Sequence, residues 1–109
     1  MKDDKTYLRH IAESLARILA FTAQGKQSFM ADTKTQDAVL RNLEIIGEAS
    51  KLVSNEFKQR NPHVPWREMA GTRDRLIHEY FGVSLNMVWK IVEIEVPVLR
   101  EQIASLLES

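Results

Sequence analysis

Residues 73–80 read Arg-Asp-Arg-Leu-Ile-His-Glu-Tyr, and no other stretch concentrates so much chemistry. A permanently charged guanidinium (Arg73), a group that titrates near neutrality (His78) and a phenol (Tyr80) fall within eight residues. Arg73 is a natural phosphate ligand, because its planar fork matches two phosphate oxygens. Asp74 and His78 form an i, i+4 pair, so the carboxylate can accept a hydrogen bond from the imidazole and fix its tautomer. These groups suit metal-independent cleavage of RNA. Neutral His78 would take a proton from a 2′-hydroxyl, and Arg73 would stabilise charge on a phosphorane-like transition state, leaving a 2′,3′-cyclic phosphate. Such chemistry needs an acid as well as a base. One chain offers a single well-placed histidine, so a dimer presenting two copies of the segment would complete the site.

The geometry makes a demand on the fold. Each α-helical residue advances about 100° around the axis, so in an unbroken helix Arg73 and Tyr80 share a face while His78 points well over 100° away. The three converge only if the helix ends at or just after His78 and releases Tyr80, an ending that Gly82 supplies. Two plainer uses suit the same residues. A helix end rich in Arg, Asp, His and Tyr can be merely capped and solvated, with His⁺ favourable near a C-terminus. Alternatively, Arg73 can hold a nucleotide's phosphates in a binding or adaptor module that cleaves nothing.

Four helical stretches must position this segment. Over 5–24, Leu8, Ile11, Ala12, Leu15, Ile18 and Leu19 recur at spacings of three and four, and Gly25 supplies a stop. Residues 25–32 read as a loop with Phe29 and Met30 packing back on the core. Asp32 or Thr33 caps a second helix over 34–57, with Val39, Leu43, Ile46, Val53 and Phe57 along its apolar line. Gly47 inside it costs roughly 1 kcal/mol relative to Ala, and its use is to let another helix or a ligand approach closely. Pro62 and Pro65 break the pattern, and Pro65 sits where a third helix, 66–78, should begin. Ser84 caps a fourth over 85–107, in which Pro97 predicts a kink or break near 93–96. Short connections between long helices predict an all-α, up-and-down bundle of four to five helices.

The bulk numbers agree with a single domain over 1–109. Hydrophobic residues make up 44% and charged residues 28%, with four Gly and three Pro, which favours helices over a sandwich or barrel. Cysteine is absent, which excludes disulfides and thiolate metal sites and fits a cytoplasmic home. The Met-Lys-Asp-Asp-Lys start lacks the pattern of a signal peptide, and no apolar run approaches bilayer length, so no membrane is expected. Zero formal net charge argues against a partner gripped by overall charge. In so short a chain, this apolar content predicts one helix face covered by a second subunit.

Other candidates have milder readings. Arg41, Glu44, Glu48 and Lys51 form a stripe on the second helix, ordinarily a solvated face of ion pairs worth tenths of a kcal/mol each. With Gly47 allowing close approach, Arg41, Glu44 and Glu48 would instead line a cleft opposite Arg73. His10 and His63 read as surface or loop histidines outside any metal-ligand pattern, so neither a metal nor a cofactor is expected. Trp66 and Trp89 read as core or dimer anchors rather than stacking platforms. Glu95, on an otherwise apolar stripe beside Pro97, reads as a partner for a broken helix end.

Arg73, His78 and Tyr80 match the Arg-x4-6-His-x-Tyr motif of HEPN-domain proteins, and the wider context resembles the HepT-like branch. Residues 41–51, RNLEIIGEASK, look like that family's second-helix signature, and 65–83, PWREMAGTRDRLIHEYFGV, look like its core segment. Val88-Trp89 fits the start of its last long helix. Thr72 stands where the family pattern suggests Met, a departure of little functional weight. The resemblance implies a helical bundle that dimerises with its motifs facing a shared cleft. It further implies the toxin half of a toxin–antitoxin pair with ribonuclease-type activity on RNA. The implied partner is an MntA-type nucleotidyltransferase antitoxin that transfers AMP from ATP onto the motif tyrosine, here Tyr80.

Overall fold

The computed structural model describes the backbone of residues 3–78 and 84–108, with side chains for all of these except 73 and 76–78. Among the described residues there is no strand, and the chain is an all-α bundle. Helix α1, Asp4–Phe21, starts where the Asp3 carboxylate accepts the Lys5 N–H at 3.1 Å. Leu8, Ile11, Leu15 and Ile18 are fully buried, so the three-and-four spacing became the core face. Helix α3, Thr33–Leu52, packs on α1 and also on α5, Trp66–His78. It therefore gives the motif-bearing helix its most extensive packing.

Residues 25–32 are not the expected loop. Gly25, at φ +94°, turns the chain into a short helix α2, Lys26–Ala31. Gln36 holds that turn by donating from Nε2 to the carbonyls of Phe29 (3.0 Å) and Met30 (3.2 Å). Phe29 is buried against Trp89, ring centroids 5.4 Å apart, so its packing role stands while its loop does not.

Asp32 caps α3, accepting from the Lys34 N–H at 3.1 Å and the Thr35 hydroxyl at 2.7 Å. The Thr35 hydroxyl, above all, holds the Asp32 carboxyl below its ordinary range, with backbone N–H groups adding to it. A depressed carboxylate stabilises the fold above its unfolded pKa and loses that contribution as pH falls through its folded value. Asp32→Asn should therefore lower Tm at neutral pH, and the gap to wild type should narrow below the usual carboxylate value of 3.8 in thermal melts across pH.

The expected helix over 34–57 is split in two. It stops at Leu52, and a short α4, Asn55–Arg60, begins after Ser54. The break is made by a residue fifty positions away. Ser54 donates its N–H to Asp4 Oδ1 at 2.8 Å and its hydroxyl to Asp4 Oδ2 at 2.7 Å, while Ser54 Oγ accepts the Phe57 N–H at 3.2 Å. This clasp joins the start of α1 to the end of α3, so the two helices run antiparallel. Asp4→Ala should cost about 1–2 kcal/mol in urea denaturation, because it removes two charge-assisted hydrogen bonds and leaves the new cap unsupported.

Helix α6, Leu85–Lys90, starts at Ser84, whose Oγ accepts the Met87 N–H at 3.2 Å. It continues through a widened π turn, Ile91–Glu95, into α7, Val96–Glu108. Pro97 has no N–H to reach the Glu93 carbonyl, and its ring crowds that carbonyl in a regular helix. The chain answers by widening: the Val96 N–H donates to the Ile91 carbonyl, five residues back. The kink expected near 93–96 is this π turn. The third helix starts at Trp66, as expected, and Pro65 stands just before it, its carbonyl accepting the Met69 N–H at 3.0 Å.

Candidate active site

The first half of α5 is firmly seated. Trp66 is buried, donates from Nε1 to the Asn61 carbonyl at 2.9 Å and meets Phe57 edge-on with centroids 6.2 Å apart. Met69 is buried one turn later. Gly47 of α3 lies so close that a Cβ there would stand 3.1 Å from the Met69 carbonyl oxygen and 3.7 Å from that of Ala70. The helix interior glycine thus serves the close approach of another helix. Thr72 is buried and donates its hydroxyl to the Glu68 carbonyl at 3.0 Å, which satisfies the polar group at the position where Met was expected.

The second half of α5 carries the motif. Arg73 and His78 both lie on it, five residues apart, which sets their Cα positions about 140° apart around the axis. His78 is the last described residue of α5, and whether the helix ends there, as expected, falls on residues 79–83, which lie outside the described residues. Asp74 is exposed. The side chains of Arg73 and His78, and Tyr80 and Gly82 altogether, lie outside the described residues, as does the convergence expected of them. Arg75, between Arg73 and His78, reaches out of the helix to Glu95 on the π turn, Nη1 to Oε1 at 3.8 Å. Nothing in the spacing of the sequence singles out Arg75. The available signal was Glu95 itself, a carboxylate interrupting an apolar stripe just before a helical proline.

Arg41, Glu44, Glu48 and Lys51 do form exposed ion pairs along α3, Arg41–Glu44 at 3.9 Å and Lys51–Glu48 at 3.7 Å. Arg41, Glu44 and Glu48 also line an open groove of about 450 Å³ with Tyr7, His10 and Leu52. Within the chain the opposite wall of that groove is α1, whereas Gly47 turns towards α5. His10 is accordingly an exposed groove residue, and His63 an exposed loop residue whose carbonyl accepts from Gln102 at 3.2 Å. Trp89 is buried with Trp66 in the core, and its Nε1 donates to Glu93 Oε2 at 3.3 Å. Among the described residues no three His, Cys, Asp or Glu side chains cluster as metal ligands would, and no helix is long and apolar enough to cross a membrane.

The sequence profile of the family described as Ribonuclease HepT-like matches residues 11–106, nearly the whole of the chain and both segments that meet at Gly47. The chain belongs to that family. Among its HepT-like relatives is a protein of Thermococcus cleftensis named probable ribonuclease HepT, 48% identical over 106 residues that make up 96% of each chain. A candidate RNase of Methanocaldococcus jannaschii is 41% identical over 103 residues, 94% of each chain. A candidate RNase of Caldanaerobacter subterraneus is 40% identical over 110 residues, covering 99% of this chain and 97% of the relative. No solved structure matches the chain. An all-α HepT-like member of a ribonuclease family is thus what the motif and its flanking blocks led one to expect.

Proposed function

We propose that this HepT-like chain is the ribonuclease toxin of a cytoplasmic toxin–antitoxin pair and cleaves RNA without a metal ion, through Arg73, His78 and a second copy of the same segment. The observation that carries the reading is the Arg73-x4-His78-x-Tyr80 spacing in the sequence, with Arg73 and His78 both on α5, in a chain whose family is described as ribonuclease. Neutral His78 removes the 2′-hydroxyl proton as the 2′-oxygen attacks phosphorus. The bond from phosphorus to the 5′-oxygen breaks, and that oxygen takes a proton from the partner subunit's copy of the same histidine. Arg73 holds the non-bridging oxygens and offsets the charge that grows on them. Asp74, one helical turn before His78, orients its ring.

Tyr80 is the regulatory position in this proposal. A nucleotidyltransferase antitoxin of the MntA type adds AMP to its hydroxyl, planting an anionic nucleotide beside Arg73 and His78 where the RNA phosphate must bind. In the dimer, Arg41, Glu44 and Glu48 contribute a wall of the shared cleft. Purified protein incubated with RNA and a chelator tests the activity. Cleavage that survives chelation and disappears in His78→Ala supports the ribonuclease, whereas an inert wild type that still binds ATP or AMP favours the nucleotide-holding module. Treatment with the antitoxin and ATP should raise the mass of the wild type by whole AMP units and leave Tyr80→Phe unchanged.

A further inference from the structure

We infer that Glu95 is a positioning residue for the 73–78 segment, acting through Arg75. The inference rests on the ribonuclease reading for its meaning but not for its test. Arg75 lies inside the segment, and its guanidinium is 3.8 Å from the Glu95 carboxylate on a different element. The first half of α5 is fixed by Trp66, Met69 and the Gly47 contact. Among the described residues, the Arg75–Glu95 pair is the polar tie from its second half to the rest of the bundle.

Glu95 owes its place to the π turn. It is the last residue of the widened segment that Pro97 imposes. The turn is itself anchored, since Ile91, Val92 and Val96 are buried and Trp89 of the preceding turn donates to Glu93. The carboxylate therefore sits on an anchored turn and holds the arginine that lies between Arg73 and His78, the two residues to which the ribonuclease reading gives the chemistry. The two side chains are 39% and 45% exposed, and a pair so open to water contributes under about 1 kcal/mol to folding. Stability alone is a poor reason for it. Orientation is a better one, because a misplacement of about 1 Å at a reacting group costs roughly a hundredfold in rate.

The test uses the full chain with Glu95→Gln, Arg75→Glu and the charge-reversed double variant Arg75→Glu/Glu95→Arg. Glu95→Gln should lower kcat on a short RNA by about tenfold, with KM within about twofold and Tm nearly unchanged. It should also speed amide hydrogen exchange at residues 73–78 while exchange in α1 and α3 stays as in wild type. Arg75→Glu should behave alike, and the double variant should recover both kcat and slow exchange. Unchanged exchange at 73–78 in Glu95→Gln, or a double variant no better than Arg75→Glu, overturns the inference. A wild type that cleaves no RNA defeats the ribonuclease reading instead, and the exchange measurement then decides the role of Glu95 by itself.

Discussion

His78→Ala should lower the single-turnover rate of RNA cleavage by about 10²–10⁴-fold, the usual worth of a general base or acid, with little change in RNA binding. In a dimeric site the loss should fall at the upper end, since one substitution removes the base and the acid together. Arg73→Ala should lose a comparable factor and also raise KM, because its guanidinium meets the phosphate in both ground and transition states. Arg73→Lys should restore little: an ammonium keeps the charge but not the planar fork. Rates measured under single-turnover conditions, with RNA binding followed separately, check these outcomes. If His78→Ala and Arg73→Ala both cleave at the wild-type rate, the 73–78 segment is not the catalytic one.

Gly47→Val should be among the most damaging substitutions away from the motif. A Cβ at that position already meets the Met69 carbonyl oxygen at 3.1 Å, and that oxygen is helix backbone rather than the far end of a flexible side chain. Gly47→Ala gains about 1 kcal/mol of helix propensity and loses part or all of it to this contact. Two further methyl groups force α5 away from α3, an overpacking cost of about 1–3 kcal/mol, which lowers Tm by roughly 5–15 °C in a domain of this size. Cleavage should fall by more than the loss of folded protein, because α5 carries Arg73 and His78. Thermal melts of the glycine, alanine and valine forms, with activity assayed well below each Tm, separate the two effects. A valine form as stable as wild type would mean that the helices do not abut there.

The long helices were legible because each buries a strong periodic face. Leu8, Ile11, Leu15 and Ile18 announce α1, and Trp66 after Pro65 announces α5 to within one residue. The short helices were not, because their causes lie far off in the chain. Nothing near Val53 says that α3 must stop; the Asp4 carboxylate, fifty residues away, takes the Ser54 N–H and starts a new cap. Residues 26–31 have too few turns to show a period, and Gln36 supplies the hydrogen bonds that hold them helical. Pro97 forecast a disturbance, but a proline can kink, break or widen a helix, and the residues around it do not say in advance which of these follows. At the site, the pattern of Arg73, His78 and Tyr80 was plain, and the link from Arg75 to Glu95 was hidden because its two residues are twenty apart.

The ends of the RNA fragments report the chemistry most directly. Attack by a 2′-oxygen under imidazole catalysis leaves a 2′,3′-cyclic phosphate on one fragment and a 5′-hydroxyl on the other, and it proceeds in excess chelator. Mass spectrometry of a short RNA cut by the wild-type protein under those conditions should find both ends, and neither with His78→Ala. Fragments that carry 5′-phosphates, or cleavage that stops when metal is removed, would contradict a site built from Arg73 and His78.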